Sequence, residues 1–421
     1  MPYTHRRRRS NEQARSPRSL HHVTPRGAGI DVDAVPPRVC VVGVGFVGES
    51  LLREFGKVFP SIGFDISPKR IDELRPLFKG LPSTTLTSDE SALSTATHFL
   101  ISVPTLLKQD RTVDLSHLLS AVRVVLAHAR PGCVIVIESS VSVGTTRHIF
   151  APYKNVFHCG MSPERVDPGR VAPTAKEIPK IVSGLTPKAL DAIKALYGRV
   201  FDTVVPVSKP EVAEMTKLFE NCYRMVNIAY VNEMADAARS HGIDPEEMIA
   251  AAASKPYGFT PFHPGLGVGG HCIPVNPFYL FANNRNLPVL EKATTRMWQR
   301  PARIAKGFHR RAHSVGKGGA GAAPRILVVG MGFKPGQSVL SCSPGVAFAE
   351  ELRNLGCARL SFYDPLVSGA MLDWIEKLGE GSWSQQYIDD NFDAVAICTR
   401  QTGVDFNVVE NLQKARVQEL K

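Results

Sequence analysis

From Arg38 onward, unbroken apolar runs alternate with stretches of helical spacing. VCVVG at 39–43, HFLISVP at 98–104 and CVIVIESS at 133–140 lack the polar–apolar alternation of a half-exposed sheet. That pattern predicts parallel strands covered on both faces. IGFD at 62–65 ends another strand, and DLSHLLSAVRVVLAHA supplies a helix between two of them. Beyond Pro210 one helical pattern continues as far as Gly242, a natural stop. Such a length predicts a spine between two domains. The strand–turn pattern then restarts with RILVVGMGF at 325–333, SFYDP at 361–365 and DAVAICT at 393–399. The expected fold is α/β, with two Rossmann-like doubly wound domains joined by a long central helix.

Composition refines this division. Residues 1–37 are rich in Arg, Ser and Pro, with HRRRR at 5–9, and predict a disordered basic tail. An Arg-rich, acid-poor start also suits a mitochondrial presequence, although Pro25, Pro36 and Pro37 interrupt any long amphipathic helix. A second basic, Gly-rich stretch predicts a linker at 306–323. The 421 residues thus divide into the tail, a nucleotide-binding domain at 38–205, a central helical domain at 206–305, the linker, and a second Rossmann-like domain at 324–421. The net charge of +11 suits anionic small ligands. No nucleic-acid module accompanies it, so nucleic acid is not expected as a partner. No apolar run reaches the roughly 20 residues that a membrane helix needs. The eight cysteines form no CxxC and no zinc-type Cys/His cluster, which predicts reduced thiols, a cytoplasmic setting and no metal.

The turn after the first strand, GVGFVG, sets Gly43, Gly45 and Gly48 between strand and helix. The first glycine permits a tight turn, the second a close approach to a pyrophosphate, and the third helix–strand packing. Asp65, at the next strand end, is placed to bind a ribose diol and favours NAD over NADP, whose extra phosphate it would repel. Arg70 is near enough to soften that preference. Lys217, Asn221 and Arg224 fall on one helix face at i, i+4 and i+7. A solvated polar stripe would look the same, but a lysine there could stabilise an oxyanion, with Asn221 donating to the same oxygen. Glu164, in SPERVDPG, reads either as a loop carboxylate or as a water-orienting base. Cys272 follows PGLGVGG and His271; its thiolate would be a nucleophile beside a dinucleotide site. That pairing points to an alcohol oxidised to an acid through a covalent thioester.

Together these motifs resemble the UDP-glucose/GDP-mannose dehydrogenase family of nucleotide-sugar 6-dehydrogenases. The resemblance rests on GVGFVG, VPT at 103–105, DLS at 114–116, GTT at 144–146, SPERVDPG, KLFENCYRMVNIAYVNE, GGHCIPVNP and FKPG at 333–336, in that order. It implies that Cys272 forms the thioester, that Lys217 and Asn221 stabilise the C6 oxygen, and that Glu164 helps hydrolysis. It further implies NAD contacts from Gly43, Gly45, Phe46, Val47, Gly48, Asp65, Arg70, Val103, Pro104, Thr105 and Ser140. Nucleotide-sugar contacts would come from Arg165, Arg224, Gly269, Gly270, His271, Phe333 and Lys334. In such enzymes the substrate lies between the two Rossmann-like domains and the central helix builds a homodimer. Several positions depart from the family. Asn276 stands where an Asp is usual, Ser140 replaces a Thr, Gln299 replaces an Asn, and FKPGQSVLSCSPG lacks the usual acid and arginine. The chain also ends sooner after DAVAICT, which points to a shortened C-terminus. GGHCIP is closer to the branch acting on UDP-N-acetylhexosamines, with UDP-glucose and GDP-mannose next. The departures leave a rival, a non-catalytic protein that binds NAD and nucleotide sugar. A single-hydride hydroxyacid dehydrogenase would leave GGHCIP unexplained.

Overall fold

The apolar runs become strands with no exposed face. The computed structural model describes residues 27–166, 172–313 and 323–421, and the chain divides into two compact units, Met1–Lys217 and Leu218–Lys421. The first begins with β1 (Val39–Val42), α1 (Phe46–Gly56), β2 (Ser61–Phe64), α2 (Pro68–Leu74), β3 (Thr84–Thr87) and β4 (His98–Ile101). A short antiparallel pair, β5 (Leu106–Leu107) and β6 (Val113–Asp114), leads to α3 (Ser116–His128). Then come β7 (Val134–Ile137), α4 (Thr145–Phe150), β8 (His158–Met161), β9 (Lys180–Gly184), α5 (Pro187–Tyr197) and β10 (Val204–Pro206). The sheet order is β10–β9–β8–β7–β4–β1–β2–β3. All pairings are parallel except β8 with β9. Alternate residues of β1 enter different cores. Cys40 and Val42 pack with Phe99 and Ile135, whereas Val39 and Val41 pack with Leu52 and Phe55. Two helical layers therefore explain why the strands show no polar alternation.

The long helix α6 (Pro210–Ser240) starts in the first unit and runs into the second. The second unit continues with α7 (Pro245–Ala253), α8 (Asn276–Phe281) and α9 (Pro288–His313). It closes with β11 (Arg325–Val329), α10 (Pro344–Asn354), β12 (Arg359–Tyr363), β13 (Glu376–Lys377), α11 (Gln385–Asn391), β14 (Ala394–Ile397), α12 (Asn407–Glu410) and β15 (Arg416–Glu419). These five strands form a parallel sheet in the order β13–β12–β11–β14–β15. Helices α2, α5, α7 and α10 share one start signal. Ser67, Thr186, Asp244 and Ser343 each accept a backbone N–H at the N-cap and are followed by a proline, whose missing N–H costs nothing there.

Two sequence expectations need correction. The tail expected over 1–37 is not loose throughout. Ile30 donates its N–H to the Pro131 carbonyl at 2.8 Å, and Val32 is buried against the first unit. HRRRR and the rest of 1–26 lie outside the described residues. The linker expected over 306–323 is helical as far as His313. Ala305, Phe308 and Ala312 bury one face of α9, while the basic residues that suggested a linker occupy the other faces. The remainder, 314–322, lies outside the described residues.

Candidate active site

The first glycine turn is built where β1 ends. Gly43 has φ +86°, and a Cβ on it would meet the Ser102 carbonyl oxygen at 2.7 Å. A Cβ on Gly48 would lie 1.9 Å from the Gly43 oxygen, so helix and strand pack closely only without one. Around Gly45 nothing lies within 4 Å of such a Cβ, and Phe46 is 54% exposed. That open edge at the start of α1 is the cradle a pyrophosphate requires. Asp65 stands beside it, half-buried, with one carboxylate oxygen accepting the Val44 N–H and the other the Ser67 N–H, both at 3.0 Å. Arg70 donates to the Val44 carbonyl at 2.9 Å and to Glu49 at 2.7 Å. Its guanidinium is thus tied to the turn and to a carboxylate. Across β4, Ser139 donates to the Val103 carbonyl and Thr105 to that of Ser140, both at 2.7 Å. The expected Val103, Thr105 and Ser140 therefore share one loop cluster, with Pro104 exposed between them.

Glu164, after β8, is almost wholly buried. Burial pushes its carboxyl up, but the Lys180 charge and the N–H groups of Val166 and Arg165 outweigh that and hold its pKa below the ordinary value. Arg165 turns its guanidinium to the Pro179 carbonyl at 2.9 Å. The start of α6 is anchored in the same unit. Glu214 accepts the N–H groups of Gly144 and Thr146 at 2.6 and 2.8 Å, and Glu211 pairs with Arg147. Lys217 follows one turn later on this continuous helix, with Asn221 a turn beyond it and Arg224 exposed.

In the second unit, Cys272 is exposed, and each of the other seven cysteines is buried or half-buried. Its turn is held at several points. Gly270 donates its N–H to the Ser341 carbonyl at 2.8 Å. A Cβ on Gly269 would lie 2.6 Å from Phe333 Cβ, so Phe333 and half-buried Lys334 sit in the loop that supports the cysteine turn. Arg300, fully buried, binds the Gly265 carbonyl and pairs bidentately with Asp236, and Asn232 accepts the Gly265 N–H. His271 is exposed. After the turn, the Cys272 carbonyl accepts the Asn276 N–H at 2.9 Å. The Asn276 side chain is buried and accepts from Asn221 Nδ2 at 2.6 Å. The neutral amide therefore keeps the acceptor that a carboxylate would offer Asn221 at this position.

Residues 37–201 match the NAD binding domain of the UDP-glucose/GDP-mannose dehydrogenase family, and residues 211–300 match its central domain. The UDP-N-acetyl-D-glucosamine 6-dehydrogenase of Pseudomonas aeruginosa is 32% identical over 365 residues, spanning 79% of this chain and 83% of that protein. The UDP-N-acetyl-D-mannosamine dehydrogenase of Pyrococcus horikoshii is 30% identical over 376 residues, spanning 82% and 87%. The chain belongs to the UDP-glucose/GDP-mannose dehydrogenase family. A solved UDP-D-ManNAc dehydrogenase from Pyrococcus horikoshii superposes with a TM-score of 0.80 at 26% identity, over 91% of this chain and 95% of that one. The family is one of NAD-dependent dehydrogenases, and the Gly43–Gly48 turn fits that dinucleotide: the cradle is open at Gly45 and Asp65 flanks it.

Several structurally central residues were not foreseen from the sequence. Glu138 and Lys180 meet across 42 positions of chain, and Tyr197 joins them from α5. The only local signal was a lone charge at one end of an apolar run, Glu138 after VIVI and Lys180 before IVSG. Asp364, Gln401, Asp236 and Arg300 were likewise overlooked, because each owes its role to residues distant in sequence.

Proposed function

We propose that this chain is an NAD-dependent 6-dehydrogenase of a UDP-N-acetylhexosamine, forming the uronic acid by four-electron oxidation. The observation that carries this reading is the exposed Cys272 thiol on a turn held by Gly270, Phe333 and the Asn221–Asn276 pair. NAD, when bound, accepts the hydride. Lys217 and Asn221 donate to the C6 oxygen as it gains negative charge. Cys272 adds to the aldehyde carbon, and loss of the second hydride to a second NAD leaves the acyl group on sulfur as a thioester. Glu164, kept ionised, orients the water that releases the acid. Arg224, His271 and Lys334 offer cationic or hydrogen-bonding contacts to the nucleotide diphosphate. The N-acetyl preference rests on the GGHCIP turn and on the two relatives named above. Two such chains pair through α6, where exposed Phe219, Tyr223 and Tyr230 form an apolar stripe.

NADH yield per sugar tests this, with UDP-GlcNAc, UDP-ManNAc, UDP-glucose and GDP-mannose offered in turn. Two NADH per molecule of one UDP-N-acetylhexosamine are expected. One NADH would mean the reaction stops short of the acid. Binding of sugar and NAD without NADH would favour the non-catalytic reading.

A further inference from the structure

Lys180 opens β9 with its side chain only 3% exposed. Its three N–H bonds meet three acceptors. Glu138 Oε2 lies at 2.7 Å, Glu164 Oε2 at 3.1 Å and the Pro163 carbonyl at 3.4 Å. The Phe201 ring lies under the ammonium at 5.6 Å. Tyr197 donates its hydroxyl to the other oxygen of Glu138. The lysine is thus a fixed cation whose donors are all engaged.

The two carboxylates it joins are held differently. Glu164 Oε1 accepts the N–H groups of Arg165 and Val166 at 2.6 and 2.8 Å, which occupies both its lone pairs. Oε2 accepts only from Lys180 among the described residues, and the side chain keeps 12% of its surface open. One lone pair of Oε2 is left for a further donor. Glu138 has no such opening: its side chain is fully buried and both oxygens are met within the protein.

We propose that Lys180 is a positioning residue for the acid-forming step: by fixing Glu164 Oε2 it leaves one lone pair of that oxygen to hold the hydrolytic water. This rests on the thioester route proposed above. In that step the water oxygen bonds to the acyl carbon and the carbon–sulfur bond breaks. Sulfur leaves with the electron pair and takes one proton of the water; the new carboxyl group gives the other to solvent. Two carboxylates sharing one ammonium leave an uncompensated buried charge. Burial pushes the Glu138 carboxyl up to about 7, whereas the Lys180 charge and the N–H groups of Val166 and Arg165 hold that of Glu164 below its ordinary value. The groups bonded to this cluster are Lys180 from β9 and Tyr197 from α5, with the Ser162 hydroxyl beside Tyr197; the Arg165 guanidinium turns to the Pro179 carbonyl.

Lys180→Met, and Lys180→Met combined with Glu138→Gln, test the assignment. The second variant removes the orphaned buried carboxylate and so keeps the fold from failing on charge alone. Both hydrides precede hydrolysis, so both variants should release a rapid burst of two NADH per site. Steady turnover should then be slower by about 10²-fold, with an acyl group on Cys272 visible in the intact mass. Their steady rate should also fall as pH drops below neutrality, because Glu164 without its cation takes up a proton more readily. Wild-type steady rates, or loss of the burst itself, would overturn the proposal. Wild-type protein giving no NADH would sink the thioester route instead. The lysine's hold on Glu164 would then be decided by carbon-13 titration of the Glu164 carboxyl. An upward shift in Lys180→Met supports it and an unmoved titration overturns it.

Discussion

The protein builds the same glycine turn twice and uses it in two ways. Gly43 and Gly330 both end a buried parallel strand with a left-handed backbone, φ +86° and +82°. Each donates its N–H to the last carbonyl of the neighbouring strand, Phe64 at 2.8 Å and Tyr363 at 2.9 Å. Each faces an aspartate one residue further on, Asp65 or Asp364. There the likeness ends. Asp65 is half-buried and meets two N–H groups. Asp364 is fully buried and meets four donors: the N–H groups of Met331, Gly332 and Leu366, and the Gln401 amide. The first turn runs straight into α1. The second runs into the loop carrying Phe333 and Lys334, and α10 begins only at Pro344. One turn leaves its carboxylate partly open at the surface. The other spends it internally and lends its loop to the Cys272 turn.

Gly269 is the position where a single methyl group should do most harm. Alanine there would set a Cβ 2.6 Å from Phe333 Cβ and push the cysteine turn off its support. Turnover should fall by about 10²-fold while NAD affinity holds, since small misplacements of reacting groups cost that much. Unchanged turnover would show that the second loop does not serve Cys272. The aspartates give the next contrast. Asp364→Ala orphans four donors and should cost about 3 kcal/mol in urea unfolding without weakening NAD. Asp65→Ala should weaken NAD about tenfold in a fluorescence titration, at little cost in stability. Exchange of those two outcomes would reverse the roles given to the turns.

A smaller effect separates Asp364 from the buried carboxylate of the first unit. Asp364 is met by neutral donors, whereas Glu138 is met by Lys180 and Tyr197. Burial raises Glu138 from 4.5 to about 7. The folded protein therefore holds a proton between those values that the unfolded chain has lost. The stability this group allows is full below about 4.5 and declines as pH rises toward 7. Urea midpoints of Glu138→Gln should lack that decline; parallel curves for variant and wild type would contradict it.

What the sequence revealed was local. The glycine turn, the run of α6 and the cysteine turn are each written in adjacent residues, so spacing alone places them. The antiparallel pairing of β8 with β9 is not so written, because Gly160 meets Gly184 through a long intervening segment. Glu164 could be named from its motif, yet its electrostatic state depends on Lys180, sixteen positions away at the start of β9. Ile30 and Val32 looked like tail because two apolar residues among prolines and glycines show no period. Ile30 is tied down by the Pro131 carbonyl and packs against Gly132, and Val32 joins the core of Leu52 and Phe55. The basic end of α9 misled for the opposite reason: its charge was conspicuous and its buried stripe sparse.

The boundary between the compact units falls inside α6, between Lys217 and Leu218. For anyone recombining this gene with a relative, the obvious seam is therefore the wrong one. A chimera joined there would inherit Lys217 from one parent and Asn221 from the other, with a single helical turn to keep their phase. A crossover ahead of Pro210, or beyond Ser240, would pass the whole helix down from one parent.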